Sequence, residues 1–172
     1  MSARKFALEM TLAAVIMTIA PAAFDRQIDF IWNASASAPI GLYRVELEDH
    51  PAIPDLVVVM VPEPVAKFLA DGGYLPRGVP LLKRILALPG QTVCRNHLAI
   101  LIDGVVMAFA RENDRRGRAL PVWHGCRLIA EGEVFLMNWQ SADSLDGRYF
   151  GPIPASSILG HAVPLWTFEE PR

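Results

Sequence analysis

Apolar residues are concentrated at the N-terminus and then break up into short runs separated by turns. From Phe6 to Phe24 the chain is apolar except for Glu9 and two threonines, and Arg4 and Lys5 stand before it. A bilayer span needs roughly 20 apolar residues and keeps positive charge on the cytoplasmic side. The pattern therefore predicts an N-terminal hydrophobic helix in residues 1–25, with everything after Asp25 outside the cytoplasm. Two other readings share the same residues. A buried terminal helix is one, and a cleavable signal peptide, suited to the small residues Ala20-Pro21-Ala22-Ala23, is the other.

Beyond that segment the periodicity changes. Gly41 to Leu47 and Asp55 to Val61 are apolar, β-branched runs separated by Pro51 and Pro54, and both read as strands. Pro64 to Ala70 reads as one short helix, opened by Pro64 and stopped by Gly72-Gly73. Pro80 to Leu88 is the next strand. Leu98 to Ile102 and Val105 to Ala108 flank Asp103-Gly104, a strong hairpin signal. Residues 111–118 form a polar loop, expected as a solvated excursion, and Val134 to Asn138 and Ala162 to Trp166 supply the last strands. Asp25 to Ala38 reads as a short approach to the first strand.

Composition narrows the function. The 172 residues suffice for one domain with a real core plus a short extra segment, and 14 prolines interrupt most helical stretches. With a formal net charge of -2 and no long basic run, a nucleic-acid groove is not indicated. The four histidines show no HExxH-like spacing and the two cysteines no CxxC spacing, so neither a metal nor a cofactor is expected. Outside the cytoplasm, Cys94 and Cys126 would be free to pair and close a sizeable loop.

Three clusters remain for chemistry. Ser37 lies among Ala36, Ala38 and Pro39, where no bulky neighbour shields its hydroxyl, although serine in a small-residue turn is common. A serine needs a base. Lys83 sits in the Pro80–Leu88 strand, where alternation places it with Leu81, Ile85 and Ala87 and turns Arg84 to the opposite face. Apolar surroundings disfavour the ammonium form and would prepare the amine to accept a proton; a strand lysine extending to solvent has the same pattern. The third cluster runs from Ser141 to Gly151. There Asp146 and Arg148 form a potential pair, and Ser144 a potential hydrogen-bond partner for an amine.

In this order the clusters resemble the signal peptidase I superfamily, and within it the conjugative-transfer branch of TraF-type pilin-processing peptidases. Asn33-x-Ser35-x-Ser37-x-Pro39-x-Gly41-Leu42-Tyr43 is similar to that branch's nucleophile box, Leu82-Lys83-Arg84-Ile85-x-Ala87-x-Pro89-Gly90 to the superfamily's lysine box, and Ser144-x-Asp146-x-Arg148-Tyr149-Phe150-Gly151 to its C-terminal box. The resemblance implies a mostly β fold of coiled antiparallel sheets, with one short inserted helix and an N-terminal hydrophobic helix before them. It implies Ser37 as nucleophile, Lys83 as general base, Asp146 as the acidic residue, Ser144 and Arg148 as supports, and Ser35 as the oxyanion-hole hydroxyl.

The sequence departs from ordinary signal peptidases in two places. Proline follows the nucleophile by two residues, and Asn138-Trp139-Gln140 stands where Gly-Asp-Asn is usual. Both departures point to the conjugative branch. The expectation is an inner-membrane serine endopeptidase whose residues 26–172 face the periplasm and mature a propilin or another exported precursor for a conjugative transfer apparatus. A general signal peptidase is the enzymatic alternative, and an exported scaffold subunit the non-enzymatic one.

Overall fold

The computed structural model describes residues 28–47 and 51–168, together with positions 5, 9–12, 14 and 15 near the N-terminus. The expected anchor in residues 1–25 therefore lies mostly outside the described residues. Among the described residues no helix is long and apolar enough to cross a membrane.

The chain is mostly β, with two antiparallel sheets and few helices, as the clustered turns and prolines predict. One sheet has seven strands. They are β1 (Phe30–Asn33), β2 (Ile40–Glu46), β3 (Leu56–Val59), β4 (Leu81–Ala87), β9 (Glu133–Leu136), β10 (Ile153–Pro154) and β11 (Ile158–Phe168). Their spatial order is β1-β2-β11-β3-β4-β9-β10. The other sheet is ordered β7-β6-β5-β8 and is built from β5 (Thr92–Asn96), β6 (Ala99–Ile102), β7 (Val105–Phe109) and β8 (Gly125–Leu128). Helix α1 (Glu63–Asp71) lies between β3 and β4, and the single-turn α2 (Gly147–Phe150) between β9 and β10.

The central strand β3 is buried along its whole length, because both faces of the large sheet are covered. Leu56 and Val58 pack with Tyr43, Leu82 and Ala162, whereas Val57 and Val59 pack on the other face with Ile85, Val134 and Leu136. A third cluster, with Val93, Ile100, Phe135 and Met137 among its members, joins the two sheets. The long strand β11 pairs with β3 through its first half and with β2 through its second. Register shifts in both ladders let it bend, since a bulge adds local twist.

The expected hairpin forms over Asp103-Gly104, with φ of 49° and 84°, the left-handed backbone that a tight two-residue turn requires. Helix α1 begins with proline in its first turn and ends at Gly72. Four features depart from the pattern-based expectation. Residues 30–33, within the stretch read as an approach, form β1 and pair with β2. Strands β5 and β8 form although β8 is exposed throughout, because ladder pairing to β5 defines it rather than burial. The short α2 is built by a side-chain cap and has no apolar period to betray it. Finally, Ala87 leaves the face shared by Lys83 and Ile85 and joins the inter-sheet core, since the β4–β9 register shifts between Ile85 and Ala87. Cys94 and Cys126 stand opposite each other on β5 and β8 and are joined in a disulfide.

Candidate active site

The turn carrying Ser37 is organised by one buried amide. Asn33, the last residue of β1, accepts the Ser35 N–H at 3.1 Å and donates through Nδ2 to the carbonyls of Ser35, Ala38 and Pro39 at 2.9, 3.1 and 3.0 Å. An asparagine that satisfies both sides of a turn substitutes for backbone pairing. The Tyr43 hydroxyl adds a 2.6 Å bond to the Pro39 carbonyl from β2. Ala34 and Ala36 leave the outer side of this turn open, so the Ser37 hydroxyl lies at the floor of a cleft. Ser35 Oγ lies 3.1 Å from Ser37 Oγ and accepts the Ser37 N–H at 3.4 Å, so a hydroxyl and a backbone donor gather beside the same atom.

Strand β4 brings the amine. Lys83 is opposite Val57 of β3 and is only 4% exposed. Its Nζ donates to Ser144 Oγ at 2.8 Å and to Ser37 Oγ at 3.4 Å. Burial lowers its pKa from an ordinary 10.5 to about 8; the negative charge of Asp146 opposes that fall and the guanidinium of Arg148 adds to it. Arg84, the next residue, turns the other way to the Pro54 carbonyl and the Trp139 ring, in line with strand alternation.

The position of Lys83 is set from behind. Asn138, just past β9, accepts the Arg84 N–H at 3.0 Å and donates to the Leu82 carbonyl at 3.1 Å, fastening β4 on either side of Lys83. Asp146 accepts the Asn138 N–H at 3.1 Å and caps α2 by accepting the Arg148 N–H at 3.2 Å. The Arg148 guanidinium pairs with Asp146 at 2.9 Å, the two side chains being 1% and 0% exposed. It also reaches the carbonyls of Ser141 and Ser144 at 2.7 and 3.1 Å, which holds the loop that presents Ser144 to Lys83. Gly147 lets this loop lie close on β9; a Cβ there would sit 2.7 Å from the Leu136 carbonyl oxygen.

Of the residues singled out in the sequence, Ser35, Ser37, Lys83 and Ser144 meet around one point, whereas Asp146 and Arg148 form the layer behind them. Among the described residues Asp146 makes no hydrogen bond to Lys83 and acts on it through charge. Sequence reasoning assigned no role to Asn33 or Asn138. An asparagine closing an apolar strand, as in Val-Phe-Leu-Met-Asn, is the signal that would have found the second, since a buried amide must be satisfied. The polar loop 111–118 is also more than a solvated excursion. It turns back at Gly117, closes through an Asn113–Ala119 bridge and lines a cleft that reaches Ser37.

Two clefts meet at the serine. One is largely apolar, with Ile31, Leu69, Leu75, Leu81 and Leu82 among its walls and Lys83 at its edge. The other is bordered by the 111–118 loop and lined by charged side chains, Arg115 and Asp143 among them. Among the described residues no group of histidines, cysteines or carboxylates could hold a metal ion. The arrangement can deprotonate a serine hydroxyl with a buried amine and stabilise negative charge beside it.

The chain is similar to several known proteins. A family profile described as signal peptidase, peptidase S26, matches residues 3–166. A conjugal transfer protein TraF from Agrobacterium fabrum is 39% identical over 150 residues, covering 80% of this chain and 82% of the relative. A probable conjugal transfer protein TraF from Sinorhizobium fredii is 36% identical over 169 residues, covering 92% and 86%. A probable signal peptidase I-1 from Synechocystis is 31% identical over 121 residues, covering 70% and 57%.

Proposed function

The chain belongs to the signal peptidase family, peptidase S26, and on that footing we propose that it is a serine endopeptidase that matures a conjugative pilin precursor through a Ser37–Lys83 dyad. The observation carrying this reading is the buried Lys83 amine, 3.4 Å from the Ser37 hydroxyl and 2.8 Å from Ser144. A lysine placed there without a reaction to serve would only cost stability, because its charge is desolvated.

In the proposed reaction, neutral Lys83 takes the Ser37 proton while Oγ attacks the peptide carbonyl carbon, and the carbonyl π electrons move onto oxygen. The oxyanion is held by the Ser37 N–H and the Ser35 hydroxyl. Collapse of the intermediate breaks the C–N bond, and the departing amine takes the proton from the Lys83 ammonium. Ser37 is left as an ester. Water activated by Lys83 then releases a linear product, or the N-terminal amine of the same substrate attacks the ester and closes a circular one. Ser144 steers the amine, and Asp146, Arg148 and Asn138 position the parts. The proposed cut follows a small, uncharged residue, which occupies the apolar cleft.

Location is part of the proposal. Residues 26–172 would face the periplasm at the inner membrane, anchored by residues 1–25, with the conjugative transfer apparatus as the setting. The exposed Phe30, Trp32, Leu165, Trp166 and Phe168 on β1 and β11 support this placement, since aromatic residues favour the bilayer interface. The names of the TraF relatives favour a conjugative substrate over a general secretory one.

Ser37→Ala and Lys83→Ala are each expected to abolish precursor processing while the protein still accumulates at the membrane. Processing retained by either variant would refute the dyad. Mass spectrometry of the mature pilin separates the two products, since the circular form lacks one water. Accumulation of ordinary secretory precursors on loss of the gene would instead favour a general signal peptidase.

A further inference from the structure

The cleft between Ser37 and the 111–118 loop carries an unbalanced charge that the reaction above does not use. Arg111, Arg115, Arg116 and Arg118 line it against two aspartates, Asp114 and Asp143, a surplus of two positive charges beside the nucleophile. The loop holding them is already ordered. Asp114 accepts the Tyr74 hydroxyl at 2.6 Å, the N–H groups of Arg116 and Arg118 at 2.8 Å each, and Arg118 Nε at 2.7 Å. Arg118 is further engaged with the Gly72 carbonyl and over the Tyr74 ring, so it is a structural part.

The other three arginines differ from Arg118. Arg111 and Arg115 converge on Asp143, the neighbour of Ser144, while exposed Arg116 has no carboxylate partner among the described residues. One aspartate thus draws two guanidinium groups to the wall of the cleft, and a third lies free beside them. Guanidinium groups recognise carboxylates with directional, charge-assisted hydrogen bonds.

We infer that this cleft binds the residues following the scissile bond and selects a carboxylate among them. The assignment rests on the peptidase reading, in which the small, uncharged residue before the cut fills the apolar cleft and the chain beyond it must leave Ser37 by the other one. The carboxylate is either an acidic side chain or the free C-terminus of a short leaving segment; the chemistry is the same. Arg115 and Arg116 are specificity-determining residues, placed to lower KM.

Purified full-length protein in detergent micelles tests this with synthetic peptides. They carry Glu or Gln in the segment just after the cut, each with a free or amidated C-terminus. The wild-type protein should cleave the carboxylate-bearing peptides with kcat/KM on the order of tenfold above the Gln, amidated peptide, the scale of two exposed charge pairs, with the difference in KM and reduced by salt. In Arg115→Gln/Arg116→Gln that ratio should fall to about one, and in Arg115→Lys/Arg116→Lys most of it should return, which separates charge recognition from damage to the loop. Dependence on Glu alone assigns the side chain, and dependence on amidation alone assigns the chain end. A wild-type ratio near one, or an unchanged ratio in the Gln variant, overturns the inference and leaves the peptidase reading standing. Absence of any Ser37-dependent cleavage overturns both.

Discussion

Lys83→Met separates catalytic need from structural need at one position. Methionine fills a similar volume without charge. The wild-type fold holds a lysine whose pKa falls from 10.5 to about 8 on burial, and at about 1.4 kcal/mol for each tenfold step this amounts to a penalty of about 3 kcal/mol at pH 7. Removing the amine recovers that penalty but leaves the buried Ser144 hydroxyl without its 2.8 Å partner, a loss of about 1 kcal/mol. The variant should therefore be about 2 kcal/mol more stable than wild type at pH 7, and inactive.

The sign follows from proton linkage. Below pH 8 the lysine is charged in both the folded and unfolded chain, and the full penalty applies. Between 8 and 10.5 it is neutral when folded and protonated when unfolded, so wild-type stability climbs with pH. The methionine variant lacks this slope, and by pH 9.5 the two proteins should be near parity. Urea denaturation of both proteins in the same detergent at pH 7 and 9.5 measures the difference. A variant less stable at pH 7, or a difference that does not change with pH, would refute the claim that Lys83 is a desolvated base.

Two further substitutions probe the layers around it. Ser144→Ala frees the Lys83 amine and should reduce kcat by about 100-fold, the cost of a misplaced catalytic group, with KM little changed in steady-state assays on a cleavable peptide. Arg148→Ala strands the buried Asp146 carboxylate and releases the 141–144 loop, so urea denaturation should show a loss of about 3–5 kcal/mol; a loss under 1 kcal/mol would mean that the pair braces nothing.

Much of the scaffold was legible from local pattern. Alternation along β4 turns Lys83 away from Arg84, the proline and paired glycines bound α1, and Asp103-Gly104 closes its hairpin, because each depends on the backbone preferences of a few adjacent residues. The elements that pattern missed depend on partners distant in the chain. Strand β8 is exposed at every position and exists through its ladder to β5, and α2 exists because Asp146 caps it while held by Asn138.

The candidate site divides along the same line. The sequence by itself determined the residue types, an unshielded serine, a lysine in an apolar strand and an Asp-Arg loop, and the order of the three motifs identified the family. Only the tertiary structure decided that Lys83 Nζ reaches both Ser37 and Ser144, that Asn138 fixes the strand on either side of it, and that four arginines stand beside the nucleophile. Those juxtapositions join positions 46 and 61 residues apart, and hydrophobic periodicity reports which side of a strand is buried without reporting what it is buried against.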